Sequence, residues 1–327
     1  MILAGDIGGT KTNLALFELV GDTLTMQVQQ QFPSRAFSSL NELIIAFEKE
    51  ISMPSIDAAC FGIAGPVIEE RCRTTNLPWE IISSELEEYL GTNKVRLLND
   101  LEATAYGMLY LEEDEFIDLN PTGRKIDGNR AVIAAGTGLG EAMLYYDGMD
   151  YHPISSEGGH SDFAPVTEQQ DALLKWMRKR YPEHVSYERI LSGPGIYTLY
   201  EFLHESGFAP QPASMINIPK DKDRSAMVTE CALTQNDSLC MEALRLFTEI
   251  YGAEAGNLAL KTMSLGGVYL GGGIAPKILP IITGKHFMHS FASKGRFEEL
   301  LWAMQVKIAL NPETALLGAA HFAVDRL

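Results

Sequence analysis

Apolar residues along the chain fall first into short runs and later into helical spacings, an order that predicts an α/β protein. Ile2–Ile7, Thr12–Leu19 and Leu24–Phe32 are runs of strand length, with Gly21-Asp22 between the last two. They predict three consecutive antiparallel strands. Leu40, Leu43, Ile44, Phe47 and Ile51 then repeat at three- and four-residue spacing behind Ser39-x-x-Glu42, the pattern of a helix opened by a capping box. Ala58–Ala64 reads as a buried strand ending at Gly65-Pro66, Ser83–Leu90 as a helix, and Lys94–Leu98 as a further buried strand. A helix is expected to begin just after Asp100.

The pattern restarts at Ala131. Ala131–Ala135, the turn Gly136-Thr137-Gly138-Leu139-Gly140, Glu141–Tyr146 and Tyr151–Ser155 repeat strand, glycine turn, strand, turn and strand about 128 residues after the first instance. The recurrence predicts a duplication, two related α/β domains facing each other, each giving a Gly/Thr turn to a cleft. The remainder is more helical. Glu168–Tyr181 and Glu242–Met263 carry helical spacing, the second with Gly252, Ala253, Ala255 and Gly256 as a close-packing stretch, and Glu313–Val324 forms a terminal helix behind Pro312. Gly267–Leu270 is a strand running into Gly271-Gly272-Gly273, and Gly207–Asp223, with three prolines, reads as a surface excursion.

Composition fits two domains: 327 residues, 46% of them hydrophobic, at roughly 100–200 residues per domain. With 26 Lys+Arg against 43 Asp+Glu the formal charge is −17, which repels a nucleic-acid backbone while leaving room for a local nucleotide pocket. No run approaches the ~20 apolar residues of a membrane span. Ile2 already belongs to the first strand, without the basic and apolar segments of a signal peptide. Cys60, Cys72, Cys231 and Cys240 show no C-x-x-C spacing, so reduced thiols in a cytoplasmic protein are expected.

The glycines carry the candidate chemistry. Asp6-Ile7-Gly8-Gly9-Thr10 sits between two strands, where backbone N–H groups and the Thr10 hydroxyl can surround a phosphate, although a plain tight hairpin has the same pattern. It is not a Walker A loop, which lies between a strand and a helix, and Gly136–Gly140 is not a dinucleotide fingerprint, because Glu141 stands where the third glycine should fall. Two such turns at matching places argue for phosphate more than either alone. Asp6, at the mouth of the first, would need a cation beside phosphates, and Mg²⁺ held through water suits it. The glycines from Gly266 to Gly273 could give a flat wall for a nucleobase or serve packing. Asp100, past a strand and at a helix start, is open to two roles, a base favoured in its ionised form by the helix dipole or a simple N-cap.

Asp6-Ile7-Gly8-Gly9-Thr10, Ala135–Gly140 and Gly272-Gly273-Ile274-Ala275-Pro276 resemble the two phosphate motifs and the adenosine motif of the hexokinase–actin ATPase superfamily. Leu98-Asn99-Asp100, Glu157-Gly158-Gly159-His160-Ser161-Asp162-Phe163-Ala164-Pro165 and Glu188–Gly195 resemble, more narrowly, the bacterial ATP-dependent glucokinases. The C-x-C-G-x-x-G-C zinc motif of the related ROK sugar kinases is absent from the sequence, which favours the non-ROK branch. The resemblance spans Leu3 to Ala320. It implies two RNase H-like (actin/hexokinase-type) domains flanking a cleft, a small one of residues 1–110 plus 313–327 and a large one of 111–312, with a hinge that closes on glucose.

The resemblance also implies roles. Asp100 is the catalytic base and also binds D-glucose, together with Asn99, Glu157, His160, Glu188, Asn76 and the backbone at Gly65. Gly8, Gly9, Thr10, Gly136, Thr137 and Gly138 hold the phosphates of ATP, Gly272 and Gly273 hold its adenosine, and Asp6 holds Mg²⁺ through water. Glu157-Gly-Gly-His160 is not a zinc site, since E-x-x-H lacks further ligands. The expected reaction is glucose phosphorylation, the first step of glycolysis, by a cytoplasmic homodimer with no nucleic-acid or membrane partner. A kinase for another hexose and a non-catalytic sugar sensor remain as alternatives, the latter expected to carry a DNA-binding extension. With few basic side chains near the turns, phosphate affinity must come from backbone N–H groups and Mg²⁺.

Overall fold

The computed structural model describes residues 1–52, 54–216, 218–219 and 222–326. Two compact units form, the first from Met1–Glu115, Ala142–Ser155 and Asn311–Leu327, the second from Phe116–Glu141 and Ser156–Leu310. In the first unit lie β1 (Ile2–Ile7), β2 (Lys11–Val20), β3 (Thr23–Pro33), α1 (Leu40–Ile51), β4 (Ala58–Ile63), the short β5 (Val67–Ile68), β6 (Arg71–Arg73) and β7 (Glu80–Ile82), α2 (Ser83–Leu90), β8 (Val95–Asn99) and α3 (Asp100–Gly107). The main sheet has the order β3-β2-β1-β4-β8. β1 and β2 are antiparallel, whereas β1, β4 and β8 run parallel. Every residue of β4 is buried, as the unbroken apolar run of a central parallel strand requires.

The two faces of this sheet differ in side-chain size. Leu3, Ile7, Leu14, Phe47 and Phe61 build a core on one side. On the other, Ala4, Ala15, Ala58, Cys60 and Ala103 meet Ala319 and Ala320, and the small residues let helices approach closely. Those helices are α3 and the C-terminal helix, whose crossing is tight. An ideal Cβ on Gly318 would stand 1.8 Å from the Ala103 carbonyl oxygen, and one on Gly107 would stand 2.0 Å from that of Thr314. Because both obstacles are backbone, Gly318→Ala is expected to push the helices apart and cost about 1–3 kcal/mol, read as a lowered Tm in thermal unfolding; an unchanged Tm would refute the tight crossing.

The second sheet has the order β12-β11-β10-β13-β14-β9, built from β9 (Phe116–Asp118), β10 (Arg130–Ala135), β11 (Leu139–Tyr146), β12 (Tyr151–Ser156), β13 (Val268–Gly271) and β14 (Val306–Ala309). Without its antiparallel edge strand β9, the order is that of the first sheet. The duplication read from element order is therefore present in the topology. Helices α4 (Glu168–Met177), α5 (Gly193–Glu205), α6 (Arg224–Gln235), α7 (Ser238–Thr262), α8 (Leu279–Ile282), α9 (Lys285–Ala292) and α10 (Glu298–Ala303) complete the second unit, and α11 (Thr314–Arg326) returns to the first. The small residues of α7 are where α9 crosses, since a Cβ on Gly252 would lie 2.2 Å from the Phe287 carbonyl oxygen.

Two details differ from the sequence reading. The first unit also holds the hairpin segment 142–155, where Arg326 donates to the Tyr151 carbonyl oxygen at 3.0 Å and Ser155 bonds the Glu102 carboxylate. At α1 the cap is half of a capping box: Ser39 Oγ accepts from Glu42 N, but Glu42 reaches back to Ser38 N and Oγ at 2.7 and 2.8 Å, not to Ser39. Those two donors hold the Glu42 carboxyl below its usual range. In the Gly207–Asp223 excursion, Asn217, Lys220 and Asp221 lie outside the described residues, as does Leu327; one helical turn, Ala213–Met215, is described there.

Candidate active site

Parallel strands bring their C-terminal ends to one edge of a sheet, where the following turns can converge on a ligand. In the first unit Ile7 pairs in register with Ile63, and Ile63 with Asn99. The turn Gly8–Thr10, the loop at Gly65 and the start of α3 therefore lie side by side. Ser34 secures the first turn: its Oγ donates to the Gly8 carbonyl oxygen at 2.7 Å and its N to that of Thr10 at 3.0 Å. Asn76 lies over the turn, 2.5 Å from where a Cβ of Gly9 would stand. Thr10 is exposed and carries its hydroxyl at the tip.

The N-cap of α3 is Asn99, not Asp100. Asn99 Oδ1 accepts from Leu101 N at 2.9 Å, Glu102 Oε2 accepts from Asn99 N at 2.9 Å, and Asn99 Nδ2 donates to the Gly65 carbonyl oxygen at 3.1 Å. Asn99 thus caps the helix and pins the Gly65 loop, at only 7% exposure. That settles the N-cap alternative for Asp100, which occupies the first helical position with its Oδ1 on Leu101 N at 2.9 Å. Asp6 has Asn13 Nδ2 at 3.3 Å, and burial pushes its carboxyl above the usual range. A buried carboxylate with a neutral amide donor suits a water-bridged divalent cation, which would restore the charge balance that burial disfavours.

The second unit assembles the other candidates. β10 and β13 are parallel with Ala134 opposite Gly271, so the Gly136–Gly138 turn and Gly272-Gly273 emerge together, joined by Ile274 N donating to the Ala135 carbonyl oxygen at 3.2 Å. Gly136 N donates to the Gly138 carbonyl oxygen at 2.8 Å, which closes the turn. Glu188 reaches it: Oε2 accepts from Leu139 N at 3.1 Å and lies 2.4 Å from where a Cβ of Gly138 would stand. The other oxygen, Oε1, is 4.0 Å from His160 Nδ1, and His160 Nε2 is 4.0 Å from Glu157 Oε2. Glu157, His160 and Glu188 therefore form one cluster on the rim of the glycine turn. Two carboxylates alternate with an imidazole there, so acceptors and a donor are presented together, as a polyhydroxylated ligand requires.

Glu188 sits in a single helical turn, Tyr187–Arg189, not on an exposed helix. Ser192 holds that turn in place, donating from Oγ to the Glu188 carbonyl oxygen at 2.7 Å and accepting from Gly195 N at 3.2 Å. Sequence reasoning assigned Ser192 no role, although Ser before Gly-Pro is a legible helix-start signal. Past Gly273 a cavity of about 350 Å³ is lined by Gly193, Ile196, Ile274 and Ile278 on its apolar side and by Asp223 and Lys277. The start of α6 that supplies Asp223 carried no sequence signal for a site. Asp162 pairs with His184 at 3.2 Å and stays outside the cluster. The four cysteines are free and buried, and no described helix is long and apolar enough to cross a membrane.

A family model described as Glucokinase matches residues 3–326. A glucokinase of Nostoc punctiforme is 39% identical over 98% of both chains, and one of Synechocystis is 39% identical over 97% of this chain and 96% of its own. Among solved structures, the glucokinase from an Antarctic psychrotroph superposes with a TM-score of 0.85 at 30% identity, covering 99% of this chain and 98% of that one. A ROK family glucokinase from Streptomyces griseus in complex with glucose and AMPPNP shares the fold, with a TM-score of 0.64 at 18% identity over 99% of each.

Proposed function

The chain belongs to the glucokinase family, and on that premise we propose which residues carry the transfer of the terminal phosphoryl group of ATP to the 6-hydroxyl of D-glucose. The observation that supports the assignment is the joining of Glu188 to both Leu139 N of a glycine turn and the His160–Glu157 pair. Sugar-type and phosphate-type groups share one rigid anchor.

Glu157, His160 and Glu188 exchange hydrogen bonds with the sugar hydroxyls, and Asn76 and Asn99 add to that set, Asn99 also holding the Gly65 loop. An analogue lacking a hydroxyl would leave these groups unpaired and bind weakly. Asp100 accepts the 6-hydroxyl proton as that oxygen attacks the terminal phosphorus and the bond to ADP breaks. The backbone N–H groups of Gly9 and Gly138, with the Thr10 and Thr137 hydroxyls, orient the phosphates, while Gly8 N and Gly136 N are taken up in closing the two turns on the Lys11 and Gly138 carbonyl oxygens and shape the cradle instead. Gly272, Gly273 and the cavity beside them take the adenosine. Asp6 would hold Mg²⁺ through water, and the ion, when bound, neutralises charge on the transferring group. We read the enzyme as a cytoplasmic homodimer, a reading that the likeness to the glucokinases supports.

The test is ADP formation with glucose, mannose, fructose and N-acetylated hexosamines. Glucose is expected to give the highest kcat/KM; preference for an N-acetylated sugar, or no glucose-dependent turnover, would overturn the reading.

A further inference from the structure

Glu141 directly follows the second phosphate turn, and the reaction described above does not use it. Its side chain is 1% exposed, and its Oε1 has no hydrogen-bond partner among the described residues. Oε2 lies directly under Gly158, 2.1 Å from where a Cβ of that residue would stand. The Glu141 carbonyl oxygen accepts from Ser156 Oγ at 3.0 Å, and Ser156 Oγ accepts from Gly158 N at 3.1 Å. One residue on, a Cβ of Gly159 would lie 2.0 Å from the Leu139 carbonyl oxygen. The Ser156–His160 segment is thus seated on Leu139–Glu141 with no room for a side chain between them.

An ionised carboxylate in that position would be buried without a compensating partner, which is costly. The surrounding charges do not supply one. Lys261 of α7 lies 3.4 Å from Glu254 Oε1, and Glu254 also accepts from Asn257 at 2.8 Å. Lys294, after α9, donates to the Ala253 and Asn257 oxygens at 2.9 and 2.7 Å. Tyr251 of α7 donates to the Ile133 carbonyl oxygen at 3.1 Å, and Tyr187 bonds the Glu254 group. On the seated segment itself stand Glu157 and His160, with Glu188 beyond them. Burial first and the Glu254 charge second push the Glu141 carboxyl up to about 8, against a smaller opposing pull from Lys261.

We propose that Glu141 is a positioning residue: as a neutral carboxylic acid it seats the Glu157–His160 segment on the phosphate turn, and its ionisation unseats that segment and weakens glucose binding. The proposal rests on the sugar-binding role given above to Glu157 and His160. Ionisation places a charge against the Gly158 backbone, and the segment must lift to let water reach it. A wholly structural residue would change stability alone, whereas this one ties glucose affinity to a proton.

The experiment is glucose binding between pH 7 and 9 for the parent protein and Glu141→Gln, together with the ¹³C chemical shift of the Glu141 carboxyl carbon. The parent is expected to lose about fivefold in affinity across that range, whereas Gln, an uncharged isostere, keeps the parent's pH 7 affinity throughout. The carboxyl should titrate near 8, and saturating glucose should raise its midpoint by about one pH unit, because the coupling is reciprocal. A carboxyl that titrates below pH 6, or a Gln variant that keeps the alkaline loss, overturns the proposal. Failure of the glucokinase reading is told apart by the parent's glucose-dependent ADP formation, while the carboxyl titration reports on Glu141 whether or not turnover occurs.

Discussion

Asp100→Asn is expected to lower kcat by roughly 10²–10⁴-fold, the range for loss of a positioned base, with the KM for glucose and the Tm nearly unchanged. The structure separates these outcomes. The helix that carries Asp100 is capped by its neighbours, through Asn99 Oδ1 on Leu101 N and Glu102 on Asn99 N, so the substitution leaves the capping box whole. Asn also keeps an oxygen in place of the Asp100 Oδ1 that accepts from Leu101 N. What it removes is the capacity to take a proton at the start of α3. Steady-state kinetics beside thermal unfolding provide the check: a variant with full kcat would sink the base assignment, and one with a much lowered Tm would show that Asp100 holds the fold.

Much of this site was legible because its parts lie at strand ends. The apolar runs that mark β1, β4, β8, β10 and β13 also locate their C-terminal ends, where the glycines and Asn99-Asp100 fall. What one sequence does not encode locally is which side chain faces which. Asn99 and Asp100 are equally good helix starters by type, and it is the reciprocal bonding of Asn99 with Leu101 N and Glu102, with Asn99 Nδ2 held on the Gly65 carbonyl oxygen, that shows which one caps. Ser39-x-x-Glu42 reads as a closed capping box, yet the exposed Ser38 offers two donors and Glu42 takes those. Glu141 could be seen as a departure from a dinucleotide motif. Its burial under Gly158, though, is a contact across 17 positions of the chain, which no periodicity reveals. Likewise the hairpin segment 142–155 belongs to the first unit through bonds to Glu102 and Arg326, residues far away in the sequence.

The rim cluster makes Gly138→Ala the most informative change outside the base. Gly138 does not stand in the left-handed region, so alanine costs no backbone strain. Its methyl group would instead meet Glu188 Oε2 at 2.4 Å, the far end of a side chain that can swing aside. The protein is therefore expected to fold with a Tm close to the parent's, but with Glu188 detached from Leu139 N. A hydrogen bond to a charged group contributes about 1.5–3 kcal/mol, which corresponds to a loss of roughly 10- to 150-fold in kcat/KM for glucose. The turn itself keeps its bond from Gly136 N to the Gly138 carbonyl oxygen, so the KM for ATP should change much less. A double-mutant cycle isolates the cause. In a Glu188→Ala background there is no carboxylate left to displace, and Gly138→Ala should then add less than about 0.5 kcal/mol. Equal effects in both backgrounds would mean that the glycine serves the phosphates alone and that the sugar cluster is anchored elsewhere.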